Sequence, residues 1–208
     1  YGPSPMRLGI EKSRNLMTVR LAQTIGMDLV TDYARRFGVS DDMPKHLSMA
    51  LGAGETTLLR LTTAYSMLVN GGKRVEPTLI DRVQDRNGRT IYRHDARNCD
   101  GCLATRWRME PVPGIPDTRE QVSDPASTYQ LVSMLEGVVQ RGTGRRISTI
   151  GKPLAGKTGT TNDNVDTWFV GFTPDLAVGA FVGFDQPRTL GPRDTGSNVA
   201  APLFKHFM

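Results

Sequence analysis

Lys157-Thr158-Gly159-Thr160 places a cation, two hydroxyls and a glycine within four residues, ahead of Thr161. That set can recognise an anion. Lys157 supplies a point charge, Thr158 and Thr160 supply donors for a carboxylate, and Gly159 removes a side chain that would block a ligand. At average residue usage, Lys-Thr-Gly-Thr arises by chance in roughly one chain of this size in several hundred. The plainer alternative is a polar turn entering a strand.

Ser13-Arg14-Asn15 is a second candidate, lying between two predicted helices. Alone it says little, because Ser-x-Asn occurs by chance in about half of chains this long. Ser13 and Asn15 are also both good helix N-caps. The pair gains weight only by coexisting with Lys157-Thr158-Gly159.

The elements that must hold these residues can be read from periodicity. Helices are predicted over 6–12, 16–25 and 28–37, with Gly26 and Gly38 as terminators. Thr56 or Thr57 can cap a further helix running to Val69, stopped by Asn70-Gly71-Gly72. Segments 78–85 and 89–93 flank Asn87-Gly88, a strong hairpin signal. Residues 95–124 are rich in Pro, Arg, Cys and Gly and read as an exposed insertion. Ser123-Asp124-Pro125 starts a helix over 126–140. Strands follow over 153–160, 166–172 and 176–184, with Thr173-Pro174-Asp175 as a tight antiparallel turn, and a helix begins at Ala200.

In that reading Trp168, Val170 and Phe172 share one face, and an ideal pleat points Thr158 and Thr160 one way and Lys157 the other. A cleft can face Lys157–Thr160 only if their strand is a sheet edge, where spare backbone N–H groups can bind a peptide or an oxyanion. The pattern predicts an α+β chain in three stretches: 1–72, helical and carrying Ser13-x-Asn15; 73–124, hairpin and insertion; 125–208, helix, Lys-Thr-Gly strand, meander and terminal helix.

Composition narrows the partners. The formal net charge of +5 is mild for 208 residues and suits an anionic substrate, but the cations are scattered, which excludes a nucleic-acid stripe. The longest apolar run, 176–184, is far too short to span a bilayer. Cys99 and Cys102 form a lone C-x-x-C, open to a loop disulfide, free thiols or a metal site short of ligands. No cofactor is expected. The chain opens at Tyr1-Gly2-Pro3 without Met or leader, which reads as a segment of something longer.

Ser13-x-Asn15 followed by Lys157-Thr158-Gly159 resembles the second and third motifs of the penicillin-recognising acyl-serine enzymes, whose first motif is Ser-x-x-Lys. The stretches 11–22, 51–72, 138–144 and 156–171 extend the likeness to class A penicillin-binding proteins of the 1A type. It spans nearly the whole chain apart from 95–124. The resemblance implies a penicillin-binding transpeptidase, serine β-lactamase-like fold: an antiparallel sheet plus an all-helical subdomain. It implies attack of a Ser on the penultimate D-Ala carbonyl of a peptidoglycan stem peptide, release of the terminal D-Ala, and cross-linking, with β-lactams as inhibitors.

Carried over by position, Ser13 would relay a proton to the leaving amine, and Asn15 would hold the substrate amide and orient the first-motif Lys. Lys157 would set the field of the cleft and polarise Ser13. Thr158 and Thr160 would bind the substrate carboxylate, and the Thr160 N–H would supply half of an oxyanion hole. No Ser of this sequence has Lys three residues on; Thr149-Ile150-Gly151-Lys152 is the nearest string. The nucleophile, its Lys, two strands, a membrane anchor and a glycosyltransferase domain are therefore expected in an absent N-terminal part, leaving the fragment inactive alone. The alternatives are a non-catalytic D-Ala-D-Ala or β-lactam recognition module, and a β-lactamase or D,D-carboxypeptidase; no Glu-x-x-Leu-Asn string supports the β-lactamase.

Overall fold

The computed structural model describes residues 2–97, 99, 101, 102, 106 and 108–208; Tyr1 and part of the expected insertion lie outside the described residues. Helices α1 (Met6–Glu11), α2 (Asn15–Ile25), α3 (Met27–Arg36) and α4 (Leu58–Val69) come first. Strands β1 (Arg82–Gln84) and β2 (Thr90–Arg93), then α5 (Pro125–Arg141), lead to β3 (Ala155–Thr160), β4 (Thr167–Phe172), β5 (Ala177–Val182) and α6 (Ala200–Phe207). Two helix starts follow the cap chemistry of the sequence. The Thr57 hydroxyl accepts from Arg60 N–H at 3.1 Å, and the Asp124 carboxylate from Ser127 N–H at 2.7 Å ahead of Pro125.

Residues 2–75 and 121–208 make up one unit, built on an antiparallel sheet of order β3-β4-β5. Its register runs from Ala155↔Phe172 to Thr160↔Thr167, and from Thr167↔Val182 to Phe172↔Ala177. The turn after β4 closes with Thr173 N–H on Leu176 O at 2.9 Å. The strands are slightly shorter than the sequence predicts, because Pro153, Leu154, Gly183 and Phe184 lie beyond the ladder.

Trp168, Val170 and Phe172 share one face of β4, as the alternation predicts, and the strand buries its second face too. Thr167 and Phe169, on the other face, are fully buried as well. Phe169 meets Phe204 of α6 with ring centroids 4.8 Å apart, and a side chain at Gly171 would strike Phe204. On the opposite face, Phe172 meets Tyr65 of α4, and a side chain at Gly179 would strike Thr62 and Leu58. The sheet is therefore covered on both sides, by α6 on one and by α4 with α5 on the other. Burial pushes the Tyr65 hydroxyl up to about 12.

Residues 76–120 form a second compact unit. The hairpin is real, with Gly88 at φ +81° and the Asp85 carboxylate accepting from Asn87 and Arg89 N–H. It is shorter than predicted: only 82–84 pair with β2, and the register slips between Val83 and Gln84. Thr78 explains the loss, since its hydroxyl accepts from Ile80 N–H at 3.0 Å and turns 78–80 out of the ladder. Arg97 grips Asp95, and Arg119 grips Asp117, each through two nitrogens. Cys99 and Cys102 are joined as a disulfide, which settles the three readings of the C-x-x-C.

This cross-link closes so short a loop that it stabilises its unit by only about 2 kcal/mol in a chain-entropy account. Both cysteines belong to residues 76–120. Treatment with dithiothreitol is therefore expected to leave the main cooperative unfolding transition of the 2–75/121–208 unit in place, within about 2 °C. A larger fall in that transition, followed by far-ultraviolet circular dichroism of the helices, which belong to the 2–75/121–208 unit, would contradict this division.

Candidate functional site

Ser13 owes its position to the way α1 ends. Ser13 N–H donates to Ile10 O at 3.2 Å, and Arg14 N–H donates back to Gly9 O at 2.8 Å. These two bonds make a Schellman closure, with Ser13 in the slot that glycine usually fills. Its φ is accordingly +51°, a left-handed conformation costing an L-residue about 1–2 kcal/mol. The helix-cap reading of Ser13-x-Asn15 fails here. Arg14 is the N-cap of α2 and makes no side-chain cap bond, while Asn15 is already its first helical residue. The strained backbone turns Ser13 out of the helix path instead.

What Ser13 meets is Lys157. Lys157 Nζ donates to Ser13 Oγ at 2.6 Å and to Thr158 O at 3.1 Å. No carboxylate pairs with this ammonium among the described residues. Burial pulls its pKa down from 10.5 to about 8, since the charged form is the one that loses water. A short donor bond from a destabilised ammonium makes the Ser13 oxygen a good proton-transfer partner.

Among the described residues β3 pairs only with β4, which makes it a sheet edge. Thr161 N–H donates to Asp166 O at 3.0 Å, which fixes the phase of the antiparallel alternation. By that alternation Lys157 and Gly159 bond toward β4, and the N–H groups of Thr158 and Thr160 point out from the edge. The site thus combines a polarised hydroxyl, one cation and two outward backbone donors. It can receive an extended peptide, a carboxylate or an oxyanion.

The threonine hydroxyls are less free than the sequence implies. Thr158 Oγ1 lies 2.7 Å from Thr143 Oγ1, and Thr160 Oγ1 accepts from Gly196 N–H at 3.0 Å. A hydroxyl that accepts still has its own proton to give, so Thr160 keeps a donor for a ligand. Gly159 also has a packing reason beyond ligand access: a Cβ there would sit 3.1 Å from Trp168 Cβ. Asn15 is exposed at the head of α2, and its amide makes no hydrogen bond among the described residues.

Several residues that hold this geometry carried no role in the sequence reading. Glu11 is 3% exposed and receives Arg141 Nε at 3.0 Å and Nη2 at 2.5 Å. Lys12 Nζ donates to Arg141 O at 2.7 Å, and Thr143 N–H donates to Glu11 O at 3.1 Å. The turn bearing Ser13 is thereby fastened to the end of α5. Ser197 Oγ donates to Thr143 O at 2.8 Å, which ties in the segment before α6. The string Arg141-Gly142-Thr143-Gly144 was a legible signal for part of this; Ser197 had none. A cavity of about 210 Å³ beside Glu136, Lys152 and Leu154 contains none of the candidate residues. Among the described residues no group of three or more His, Cys, Asp or Glu could hold a metal, and no helix is long and apolar enough to cross a membrane.

Comparison with known proteins points one way. The sequence profile of the penicillin binding protein transpeptidase domain matches residues 1–208. Penicillin-binding protein 1A of Rickettsia bellii is 49% identical over 209 residues, covering 100% of this chain and 26% of its own length. The crystal structure of penicillin-binding protein 1A from Haemophilus influenzae superposes with a TM-score of 0.84 at 26% identity, over 100% of this chain and 34% of that one. The PonA1 protein from Mycobacterium tuberculosis, solved in complex with penicillin V, shares the fold at a TM-score of 0.75 and 21% identity, over 99% of this chain and 56% of that one. The chain spans about a quarter of the length of the curated relatives it matches.

Proposed function

Because the chain belongs to the penicillin-binding protein transpeptidase family, we propose that it supplies one wall of a peptidoglycan D,D-transpeptidase site working through a serine acyl-enzyme. The observation that carries this is the 2.6 Å bond from Lys157 Nζ to Ser13 Oγ, beside a sheet edge with outward N–H groups. In the proposed reaction a stem peptide lies along β3, with its terminal carboxylate toward Thr158 and Thr160. A serine of a Ser-x-x-Lys motif attacks the penultimate D-Ala carbonyl, and the oxyanion takes a hydrogen bond from Thr160 N–H. Ser13, held by Lys157, relays the proton lost by the attacking serine to the departing amine of the terminal D-Ala as the amide C–N bond breaks. Asn15 is free to hold the substrate amide. An amine of a second stem peptide then takes the acyl group, and a β-lactam would stop the cycle at the acyl-enzyme.

No Ser of this sequence is followed by Lys three positions on, so the attacking serine is proposed on another segment of the longer protein. The same protein is proposed to act at the periplasmic face of the inner membrane, anchored through a further segment, on stem peptides of polymerised lipid II. The outer edge of β5 has no partner strand among the described residues, and two strands of that segment are proposed to complete the sheet there.

Labelled penicillin tests the assignment. The 208-residue chain alone is expected to give no covalent adduct, and the full-length protein a stoichiometric one, by intact-mass spectrometry. An adduct on the isolated chain would move the nucleophile onto a residue such as Ser13. A full-length protein that binds penicillin reversibly but never acylates would favour a recognition module.

A further inference from the structure

Every polar group of Thr143 is used, and each points to a different part of the site. Its N–H donates to Glu11 O at 3.1 Å, two residues before Ser13. Its carbonyl accepts from Ser197 Oγ at 2.8 Å, next to Gly196, whose N–H donates to Thr160 Oγ1 at 3.0 Å. Its hydroxyl lies 2.7 Å from the Thr158 hydroxyl, beside Lys157. One residue therefore joins the Ser13 turn, the β3 edge and the segment before α6.

We propose that Thr143 is a positioning residue for anion binding: it orients the Thr158 hydroxyl toward a ligand carboxylate and fixes the spacing of β3 from the Ser13 turn. The proposal rests on the acyl-transfer reading of the site. Either oxygen of the Thr143–Thr158 pair can be the donor. When Thr143 donates, Thr158 accepts on the inside and its own proton is released toward the edge, where an anion can take it. A carboxylate arriving there selects that orientation, because a donor bond to a charged acceptor is about twice as strong as a neutral one, and linked hydroxyls polarise each other. Without the Thr143 hydroxyl, Thr158 is left to satisfy its oxygen from solvent or by turning inward, and the carboxylate loses an aimed donor. The backbone bonds of Thr143 survive any side-chain change, so the hydroxyl can be tested apart from the scaffold.

The experiment compares wild type, Thr143→Val and Thr143→Ser in the full-length protein, using benzylpenicillin and resolving the reversible binding constant from the first-order acylation step by stopped-flow. Thr143→Val is expected to weaken reversible binding by roughly 10-fold to 100-fold while changing the acylation step by less than about 3-fold. Thr143→Ser restores the hydroxyl and is expected to return binding to within about 3-fold of wild type. Esterification of the penicillin carboxylate is expected to abolish the difference between the variants. The proposal is overturned if Thr143→Val binds as wild type does, if Thr143→Ser falls as far as Thr143→Val, or if the ester still discriminates between them. Should Thr143→Val fail to fold, Thr143→Ala removes the same hydroxyl and takes its place in every arm. A wild-type protein that never acylates overturns the acyl-transfer reading itself; an acylating wild type with an indifferent Thr143→Val overturns only the role of Thr143.

Discussion

Lys157→Met in the full-length protein is expected to slow β-lactam acylation by roughly 10²-fold to 10³-fold, the scale on which single donors to developing charge act. The reason is the shared position of one cation. Lys157 Nζ donates to Ser13 Oγ at 2.6 Å and is, among the described residues, the one positive charge bonded to that hydroxyl, the group it is proposed to polarise. Its pKa of about 8 gives the prediction a pH signature. The working form is proposed to be the ammonium, so wild-type acylation should fall as pH rises through about 8. Lys157→Arg keeps its charge there and should lose that fall, though its fork geometry suits the site less well.

Stability should move the other way. The folded-state pKa is depressed below the unfolded value of 10.5, so below pH 8 both states are charged and the folded one bears the burial cost. Between pH 8 and 10.5 the folded state sheds its proton first and that cost is relieved. Urea unfolding of wild type measured against Lys157→Met should therefore shift in favour of wild type across that window, by at most about 3 kcal/mol. Activity and stability that rise together above pH 8 would show that Lys157 acts as a neutral base.

Gly137→Ala is expected to destabilise the chain by about 3 kcal/mol or more, although alanine is normally the better helix residue by up to about 1 kcal/mol. A Cβ at Gly137 would collide with Glu11 Oε1 and stand 2.7 Å from its Cδ and 2.9 Å from Arg141 Nη2. That is the heart of a buried carboxylate held by two guanidinium nitrogens, and displacing it strands a charge. The damage should reach the site, because Glu11 O holds Thr143 N–H and Ser13 follows two residues later. Adding Glu11→Ala to Gly137→Ala should recover part of the loss, giving a coupling energy of about 1–3 kcal/mol in a double-mutant cycle of urea midpoints. Strict additivity would mean that the clash lies elsewhere.

The sequence was legible where one local pattern decides the outcome. Alternating apolar residues from 166 to 184 give a meander, and Pro125 after Asp124 gives a helix start. Lys157, Thr158 and Gly159 stood out because their types are rare together. Other features depend on partners far along the chain and left no such trace. Ser13 read as an N-cap because serine so often is one; its place in a Schellman closure depends on Gly9 and Ile10 carbonyls and on the pull of Lys157, 144 residues away. Thr143 and Ser197 are ordinary hydroxyl residues until three segments converge on them. Alternation placed Trp168, Val170 and Phe172 on one face of β4 but said nothing of Phe169, whose burial is supplied by α6. The first strand of the hairpin was overextended because the turn at Thr78 uses a side-chain acceptor that periodicity does not register.

The left-handed backbone of Ser13 sets two selective pressures against each other at one codon. Backbone conformation alone would favour glycine there, relieving about 1–2 kcal/mol of strain, whereas the Lys157 bond and the proposed chemistry require the hydroxyl. A lineage released from the need for this hydroxyl would weigh that relief only against the hydrogen bond Lys157 would lose. Drift to glycine at this position would then record the loss of catalysis in a descendant whose core and cation were still intact.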